Sequence, residues 1–346
     1  MRFACILAAI GTVLLSGVSL AQGFEIEERV VYDATQGDAE IQVLSTADRA
    51  VFEPILLAFQ AENPSITIDY TIASTREVMK AVEGGDAQFD LIISSAMDLQ
   101  TKLANDGFAQ THRSDATLQM PDWARWRDQI FAFTQEPAVL IVSKSAFPNG
   151  NVPTSREALI ALLRDEPERF LGRVGTYDVR TSGFGYLMAT QDARMSESFW
   201  RLLEVMGRLE PRLYCCSGAM IQDIRSGKLA LAYNVLGSYA AGELARTGGF
   251  EIVVMEDFAN VMLRTALIAS NAKNVDEAKI MIDFLVSLDS RPDLIEASGL
   301  PALDADQLAE NAALRPIRLG PGLLVFLDRL KRQSFLRSWE ASITQN

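Results

Sequence analysis

The order of apolar and polar positions in the first hundred residues predicts a sheet with helices between its strands. Segments 40–44 and 66–71 have the composition and length of strands, and apolar residues at helical spacing between them predict an amphipathic helix. The apolar run at 91–93 lacks polar alternation, which is typical of a strand buried on both faces. Strand, helix, strand, helix and strand in succession predict an α/β fold with a parallel sheet.

Hydroxyl side chains follow two of these predicted strands, at the point where each strand ends. Ser45 and Thr46 follow the first strand, and Ser94 and Ser95 follow the third. Ser95 and Asp98 have the spacing of a capping box, which predicts that a helix begins there. Ligands of open parallel sheets bind beyond the carboxyl ends of the strands, and unpaired N–H groups at helix starts suit an anion. The sequence therefore predicts a site for a polar or anionic ligand at this edge.

Two later segments are predicted to connect two lobes, which a chain of 346 residues favours over one. Segment 131–144 contains Pro137, which a sheet tolerates only at an edge or a crossover, so we predict a hinge there. Segment 261–269, which contains Arg264, is predicted to return the chain to the first lobe. The expected bounds are 22–135 with 262–346 for the first lobe and 136–261 for the second.

The second half of the chain repeats the pattern of the site. Ser182 and Gly183 belong to a hydroxyl and glycine turn between a predicted strand and a predicted helix. A further predicted strand, 228–233, ends at Tyr233 and Asn234. Polar side chains thus follow strands in both halves, which predicts one cleft lined from two sides. Arg264 on the returning segment adds a guanidinium, the group best shaped to grip a carboxylate or a phosphate.

The N-terminus has the pattern of a secretory signal. Arg2 precedes an apolar run over 4–15, and Ser19 and Ala21 place small residues where signal peptidase reads the chain. The apolar run is short for a membrane anchor, which is the less favoured alternative. We expect residues 1–21 to be removed by cleavage after Ala21 and the protein to reach the periplasm.

The balance of charge excludes two classes of partner. The chain has 32 basic and 45 acidic residues, for a net charge of −13, and loss of Arg2 with the signal makes it −14. Nucleic acids and anionic membranes attract clustered positive charge, so neither is an expected partner. An anionic ligand remains compatible, because local donors control a pocket.

Residues for catalysis are scarce. The single histidine, His112, lies in a polar stretch, and we expect a solvated side chain rather than a ligand or base. The sequence contains neither G-x-S-x-G, a P-loop nor H-E-x-x-H. We therefore expect a protein that is not an enzyme, with no catalytic residue, metal site or cofactor; a hydrolase of phosphate esters is the least favoured alternative.

Two adjacent cysteines, Cys215 and Cys216, are the only ones left after removal of the signal. In an oxidising compartment they form a strained eight-membered ring or remain two thiols, and the sequence leaves both alternatives open.

Several stretches of the chain resemble the type II periplasmic solute-binding proteins of ABC importers. They are STADRAVFEPILLAF, FDLIISSAMDLQTKLANDGFA, SGFGYLMATQD, GKLALAYNVLGSYA and RPIRLGPGLLVFLDRLKRQSF. Within that superfamily the sequence is most similar to the ferric-ion, thiamine and phosphonate-binding branch, and there to phosphoglycerate transport regulatory proteins. The resemblance implies two α/β lobes, each a mixed, mostly parallel sheet flanked by helices. Two crossover strands would join the lobes, which close around ligand by hinge motion.

The resemblance also implies positions for the ligand site. Ferric-binding members have adjacent tyrosines after the strand that corresponds to 228–233, whereas here Tyr233 and Tyr239 are separated. This departure disfavours direct binding of iron. The loops that contact ligand in the family contain, in this sequence, Ser45, Thr46, Ser94, Ser95, Ser182, Gly183, Tyr233 and Asn234.

The resulting hypothesis is a monomeric periplasmic receptor that captures a small anionic solute, phosphorylated or carboxylated, for an ABC importer. Arg264 would neutralise the anion, and the partner would be an ABC permease of the inner membrane. A ligand-sensing accessory of a two-component sensor kinase is one alternative, and a ferric-ion-binding protein is another.

Overall fold

The structure, a computed structural model, describes residues 23–85 and 88–345. The predicted signal and its cleavage after Ala21 lie outside the described residues and remain a prediction. Every helix in the described part of the chain is too short or too polar to span a bilayer.

The predicted strands of the first half lie within two residues of their observed bounds. The strands are β1 Glu28–Tyr32, β2 Ala39–Ser45, β3 Ile66–Ile72, β4 Leu91–Ser94, β5 Arg125–Trp126, β6 Ile130–Ser143, β7 Val174–Tyr177, β8 Arg212–Tyr214, β9 Leu231–Leu236, β10 Phe250–Val253, β11 Ala259–Ile268 and β12 Leu314–Pro316.

Helices follow most of these strands, and several begin at a hydroxyl or acidic cap. Ser74, for example, caps the second helix by accepting from the Glu77 N–H, and Gly85 ends it in the left-handed conformation. The helices are α1 Arg49–Glu62, α2 Thr75–Gly84, α3 Met97–Asn105, α4 Asp115–Gln119, α5 Arg156–Asp165, α6 Pro167–Phe170, α7 Gly183–Met195, α8 Ser198–Gly207, α9 Ser217–Arg225, α10 Gly237–Thr247, α11 Val275–Val286, α12 Pro292–Ser298, α13 Ala305–Glu310 and α14 Arg329–Ile343.

The first lobe is built on strands in the order β1-β3-β2-β4-β11-β6. β2 runs parallel to β3 and β4, while β1 is antiparallel to β3, and β11 is antiparallel to β4 and β6 but parallel to the short strand β12. The run Leu91, Ile92 and Ile93 is fully buried, as the absence of polar alternation predicts.

The second lobe continues the sheet in the order β6-β9-β7-β8. β9, β7 and β8 are mutually parallel, whereas β9 and β10 are antiparallel to β6. Each lobe therefore has a mixed sheet with helices packed against it.

The long strand β6 passes from one lobe to the other, and its partner changes at Pro137. Residues Phe131 to Pro137 pair with β11, whereas Ala138 to Val142 pair with β9. The predicted crossover at Pro137 is thus the place where one strand serves two sheets.

The alternation of side chains along β6 divides the apolar interior. Val139 and Ile141 point into a core that runs back to the first lobe, whereas Leu140 and Val142 point into a second core on the other face.

The C-terminal helix α14 packs on the second lobe, although the sequence assigns 262–346 to the first. Phe335, Trp339 and Ile343 are buried in the second core together with Phe199 and Met206 of α8. An amphipathic pattern predicts that a helix buries one face but not which lobe receives it.

Candidate functional site

The hydroxyl residues predicted at the strand ends of the first lobe lie together. Ser45 ends β2, and Ser94 ends the neighbouring parallel strand β4. The Ser95 N–H donates to Thr46 Oγ1 at 3.2 Å, which joins the two loops. The Tyr70 hydroxyl donates to Ser45 Oγ at 2.8 Å, and both residues are fully buried. These five hydroxyl residues form one polar edge of the first lobe.

The capping box predicted at Ser95 and Asp98 is wrong. α3 begins at Met97, and its N-cap, Ala96, makes no side-chain hydrogen bond. Asp98 instead accepts from the Leu99 N–H at 2.9 Å. Burial raises the pKa of Asp98 to about 7. Hydrogen bonds from the backbone and the charge of Arg332 act in the opposite direction, but burial has the larger effect.

Ser182 and Gly183 face the first lobe from the start of α7. Ser182 is the N-cap and accepts from the Gly185 N–H at 3.1 Å. The Gly183 N–H donates to Thr75 Oγ1, at the start of α2 in the first lobe, at 2.8 Å. A Cβ on Gly183 would lie 2.6 Å from that oxygen, so the absence of a side chain permits the approach.

Tyr233 and Asn234 belong to a buried network inside the second lobe. The Tyr233 hydroxyl and the Asn234 amide both donate to Asp192 Oδ2 at 2.8 Å. Arg156 Nε donates to the Tyr233 hydroxyl at 2.6 Å, and Asn260 donates to the other oxygen of Asp192 at 2.7 Å. The hydrogen bonds of these two predicted residues therefore go to this network and not to the hydroxyls after β2 and β4.

The position of β9 explains this placement. The strand covers Leu231–Leu236, three residues later than predicted, so Tyr233 and Asn234 lie within it rather than after it. Asn234 has a φ of 64°, a left-handed conformation that the hydrogen bond to Asp192 helps to hold. The residues that follow the true end of β9 are Gly237, Ser238 and Tyr239.

Arg264 lies in the strand β11 between the lobes and pairs with Glu136 of β6. Its Nε donates to Oε1 at 3.0 Å and its Nη2 to Oε2 at 3.2 Å, a bidentate pair in which both side chains are essentially inaccessible to water. Glu136 also accepts from the hydroxyls of Ser238 and Thr134. The two crossover strands thus carry a buried ion pair, and Ser238 at the start of α10 hydrogen-bonds to it.

One nitrogen of this guanidinium is free. Arg264 Nη1 is buried and has no hydrogen-bond partner among the described residues. Burial acts to lower the pKa of Arg264, but the charge of Glu136 and the nearby phenols raise it overall. Its charge in turn acts to lower the pKa values of Asp48, Tyr70 and Tyr239. The site therefore holds a fixed positive charge with one N–H that lacks an acceptor.

A hydrogen bond between Tyr239 and Asp48 joins the two sides of the cleft. The Asp48 N–H, after β2, donates to the Tyr239 hydroxyl of α10 at 3.0 Å. Burial raises the pKa of Asp48, while Arg264 acts against that shift. Together with the contact between Gly183 and Thr75, this bond makes the lobes touch across the site.

Three residues of the cleft were missed as candidates from sequence: Glu136, Tyr239 and Thr75. Glu136 carried a signal, since it is the one charged residue of the strand β6 and lies next to Pro137. The other two carried none beyond their places at helix starts, because only the packing of the lobes brings them to the cleft.

His112 is a structural residue, contrary to the expectation of a solvated side chain. It is 7% exposed, and its Nε2 lies 2.8 Å from Asp283 Oδ1, which also accepts from the Ser114 hydroxyl at 2.6 Å. No group of three or more histidine, cysteine or acidic residues with metal-binding geometry occurs in 23–85 and 88–345.

Solved structures similar to this chain have two-lobed binding-protein folds. The crystal structure of the substrate binding protein of the ABC transporter from Agrobacterium tumefaciens has a TM-score of 0.87 and 30% identity, covering 92% of this chain and 99% of that one. AfuA from Actinobacillus pleuropneumoniae, with exogenous fructose-6-phosphate bound, has a TM-score of 0.72 and 15% identity, covering 90% and 100%. Iron-bound HitA from Pseudomonas aeruginosa has a TM-score of 0.66 and 15% identity, covering 88% and 99%. The predicted type II fold is confirmed.

Sequence comparison points to the same family. No curated protein matches the chain. The family model described as bacterial extracellular solute-binding protein matches residues 41–299, most of the chain. Joined to the similarity with the Agrobacterium tumefaciens protein, this match shows that the chain belongs to the bacterial extracellular solute-binding proteins, the substrate-binding components of ABC transporters.

Proposed function

We propose that this periplasmic solute-binding protein captures a small anionic solute, phosphorylated or carboxylated, in the cleft between its lobes. The observation that carries the proposal is the free, buried Nη1 of Arg264. A buried donor without a partner costs about 1–3 kcal/mol, and more when it is charged. An oxyanion of the ligand would supply the missing acceptor.

Hydroxyls and helix starts would hold the rest of the anion. Ser45 and Thr46 approach from the first lobe, and the starts of α7 and α10, with Gly183 and Tyr239, approach from the second. Backbone N–H groups at helix N-termini favour negative charge. Donors from both lobes would make ligand affinity depend on closure, the behaviour expected of a hinged receptor.

The charges around the cleft restrict the anion. Glu136 already pairs with Arg264, and Asp48 lies on the opposite wall. The site therefore supplies one charged donor that lacks an acceptor, rather than a cluster of positive charge. We expect one carboxylate or phosphate group to bind, with the remainder of the solute meeting neutral hydroxyls.

The ferric alternative is less favoured by the state of the tyrosines. Ferric binding through tyrosine requires the phenolate, but burial raises the pKa values of both Tyr233 and Tyr239. The Tyr233 hydroxyl is moreover engaged with Arg156 and Asp192. HitA, the iron-bound neighbour, shares the fold at 15% identity, which carries no ligand over to this chain.

Isothermal titration tests the proposal directly. The purified protein is titrated with phosphoglycerates, sugar phosphates, phosphonates, dicarboxylates and ferric citrate. We expect at least one anion to bind, and the charge-neutral double variant Arg264→Met with Glu136→Gln to bind it about 10- to 100-fold more weakly. Tight binding of ferric iron with silence for every organic anion would overturn the proposal.

A matched control is provided by Arg291 and Glu62, which form a second bidentate pair at the surface. The variant Arg291→Met with Glu62→Gln makes the same chemical change away from the cleft. Its affinity for the anion should equal that of the unmodified protein.

A further inference from the structure

Two adjacent thiols lie in the second lobe, between β8 and α9. Cys215 follows β8, and Cys216 is the N-cap of α9. Both are free and exposed, and their sulfurs are 2.9 Å apart. The pair is therefore open to solution reagents and already in mutual contact.

The neighbourhood of the thiols connects them to both walls of the cleft. Burial of the sulfur, the neighbouring Cys215 and the charge of Asp48 raise the pKa of Cys216 to about 12. Asp48 follows β2 in the first lobe. On the other side, the charges of both cysteines act on Tyr177, a buried tyrosine of the second lobe.

Neighbouring residues of the chain and one hydrogen bond lead from the thiols to the interlobe contact. Ser217, the residue after Cys216, shares a hydrogen bond of 2.5 Å with the Tyr177 hydroxyl. Ser217 Oγ also accepts from the Leu236 N–H at 3.0 Å. Leu236 ends β9 immediately before α10, whose Tyr239 accepts from Asp48.

A disulfide between neighbouring cysteines is strained for a general reason. The Cα atoms on either side of a trans peptide are about 3.8 Å apart, whereas disulfides prefer a separation of about 4.4–6.8 Å. Strained and exposed disulfides are the easily reduced ones, which serve regulatory rather than structural roles. A ring closed here would therefore be reversible.

We propose that Cys215 and Cys216 are a reversible oxidation site, and that closing their disulfide ring alters the cleft through Ser217 and α10. This assignment concerns the chain itself and does not depend on which solute binds. It fits the periplasm, where thiol–disulfide oxidants act on exposed thiols.

The oxidant is a disulfide, either a small one such as oxidised glutathione or that of a thiol–disulfide oxidoreductase. The Cys215 sulfur, as thiolate, attacks one sulfur of the oxidant, whose S–S bond breaks and releases one thiolate. The Cys216 sulfur, on losing its proton, then attacks Cys215 in the mixed disulfide and expels the second. The protein loses two electrons and two protons, and the oxidant becomes two thiols.

Ring closure changes the backbone at the N-cap of α9. With both thiols free, Cys216 has an extended conformation, with φ −150° and ψ 157°. Any change there moves Ser217, which is tied to Tyr177 and Leu236. Leu236 lies directly before α10, and α10 contains Tyr239. Oxidation should therefore change the strength of the hydrogen bond from Asp48 to Tyr239.

Intact-mass spectrometry with hydrogen exchange tests the proposal. The exported protein is purified from the periplasm, and its mass first establishes whether Cys5 has been removed with the signal. It is then treated with oxidised glutathione or with dithiothreitol. We expect the oxidised form to lose the mass of two hydrogen atoms, and dithiothreitol to restore it. Amide exchange in α9 and α10 should differ by about threefold or more between the two forms.

The double variant Cys215→Ser with Cys216→Ser is the control, and it should change neither mass nor exchange under either treatment. The single variant Cys216→Ser should instead keep a stable glutathione adduct, because its mixed disulfide has no second thiol to resolve it. Stable glutathione adducts or dimers in place of a ring in the unmodified protein would overturn the site. A ring that forms without any change in α10 would overturn its connection to the cleft. Neither outcome bears on the anionic ligand, which the titrations test separately.

Discussion

The hydroxyl of Tyr239 accepts a hydrogen bond from the backbone N–H of Asp48 at 3.0 Å, and so joins α10 of the second lobe to the loop after β2 in the first. The phenol is the acceptor in this bond, and a hydrogen bond between the same hydroxyl and the Asp48 carboxyl acts to lower the pKa of that carboxyl. Burial holds the pKa of Tyr239 far above its usual value, so its proton stays in place at any physiological pH. One side chain thus holds the backbone and the carboxyl of the facing loop.

We predict that Tyr239→Phe weakens closure of the lobes. The substitution keeps the ring and removes one hydrogen bond, whose net value is about 0.5–1.5 kcal/mol. The affinity for the anion should therefore fall by roughly 2- to 13-fold. Isothermal titration measures the affinity, and small-angle scattering measures the opening of the ligand-free protein.

Tyr214→Phe is the matched control. The Tyr214 hydroxyl donates to Asp223 at 2.8 Å within the second lobe, so its loss removes a tyrosine hydrogen bond that does not cross the cleft. Equal losses of affinity in the two variants would show that the contact of Tyr239 with Asp48 has no special part in closure.

The first lobe was the more predictable half because its signals are local. Ser45 and Ser94 end strands whose apolar runs mark their own limits, and both lie where the sequence places them. The same reasoning misplaces Tyr233 and Asn234 at a strand end, because the apolar pattern of KLALAYNVL does not show where β9 stops. Arg264 was located as a cleft residue, but its partner Glu136 is 128 residues earlier in the chain. A pairing of that kind depends on the register of β6 against β11, which no local pattern encodes.

We predict that Gly183→Ala holds the lobes apart. The new Cβ would lie 2.6 Å from Thr75 Oγ1 and 2.9 Å from Leu99 Cδ1, both in the first lobe. Because opening the hinge relieves this clash, affinity for the anion should fall while the free energy of unfolding changes little. Titration and thermal unfolding separate the two effects.

Gly218→Ala is the control for that variant. Gly218 also lies in the first turn of a helix of the second lobe, but a Cβ there meets nothing within 4 Å. It should bind the anion as tightly as the unmodified protein. Unfolding of Gly183→Ala at much lower temperature would contradict an interlobe clash and indicate damage inside a lobe.

We predict that Glu136→Gln strongly destabilises the fold. It leaves Arg264 charged and fully buried without a counter-ion, and breaking a buried pair in this way costs about 3–5 kcal/mol. Urea unfolding measures the loss. The surface variant Glu62→Gln, which removes the partner of Arg291, should cost less than about 1 kcal/mol. A similar small cost for both would mean that water reaches Arg264.

The last prediction concerns Asp98, whose pKa burial raises to about 7. The folded state then holds a proton that the unfolded chain, with an ordinary pKa near 4, has already lost. Between about pH 4 and pH 7 the folded state binds more protons, so the free energy of unfolding falls as pH rises through this window.

Asp98→Asn keeps an oxygen to accept from the Leu99 N–H and has no charge to bury. We expect urea unfolding of this variant to show a flatter profile from pH 4 to 7 and greater stability at pH 8, by on the order of 3 kcal/mol. Asp276→Asn, at an exposed position on α11, should leave the profile unchanged. An identical slope in the unmodified protein and in Asp98→Asn would show that Asp98 is ionised in the folded protein throughout this range.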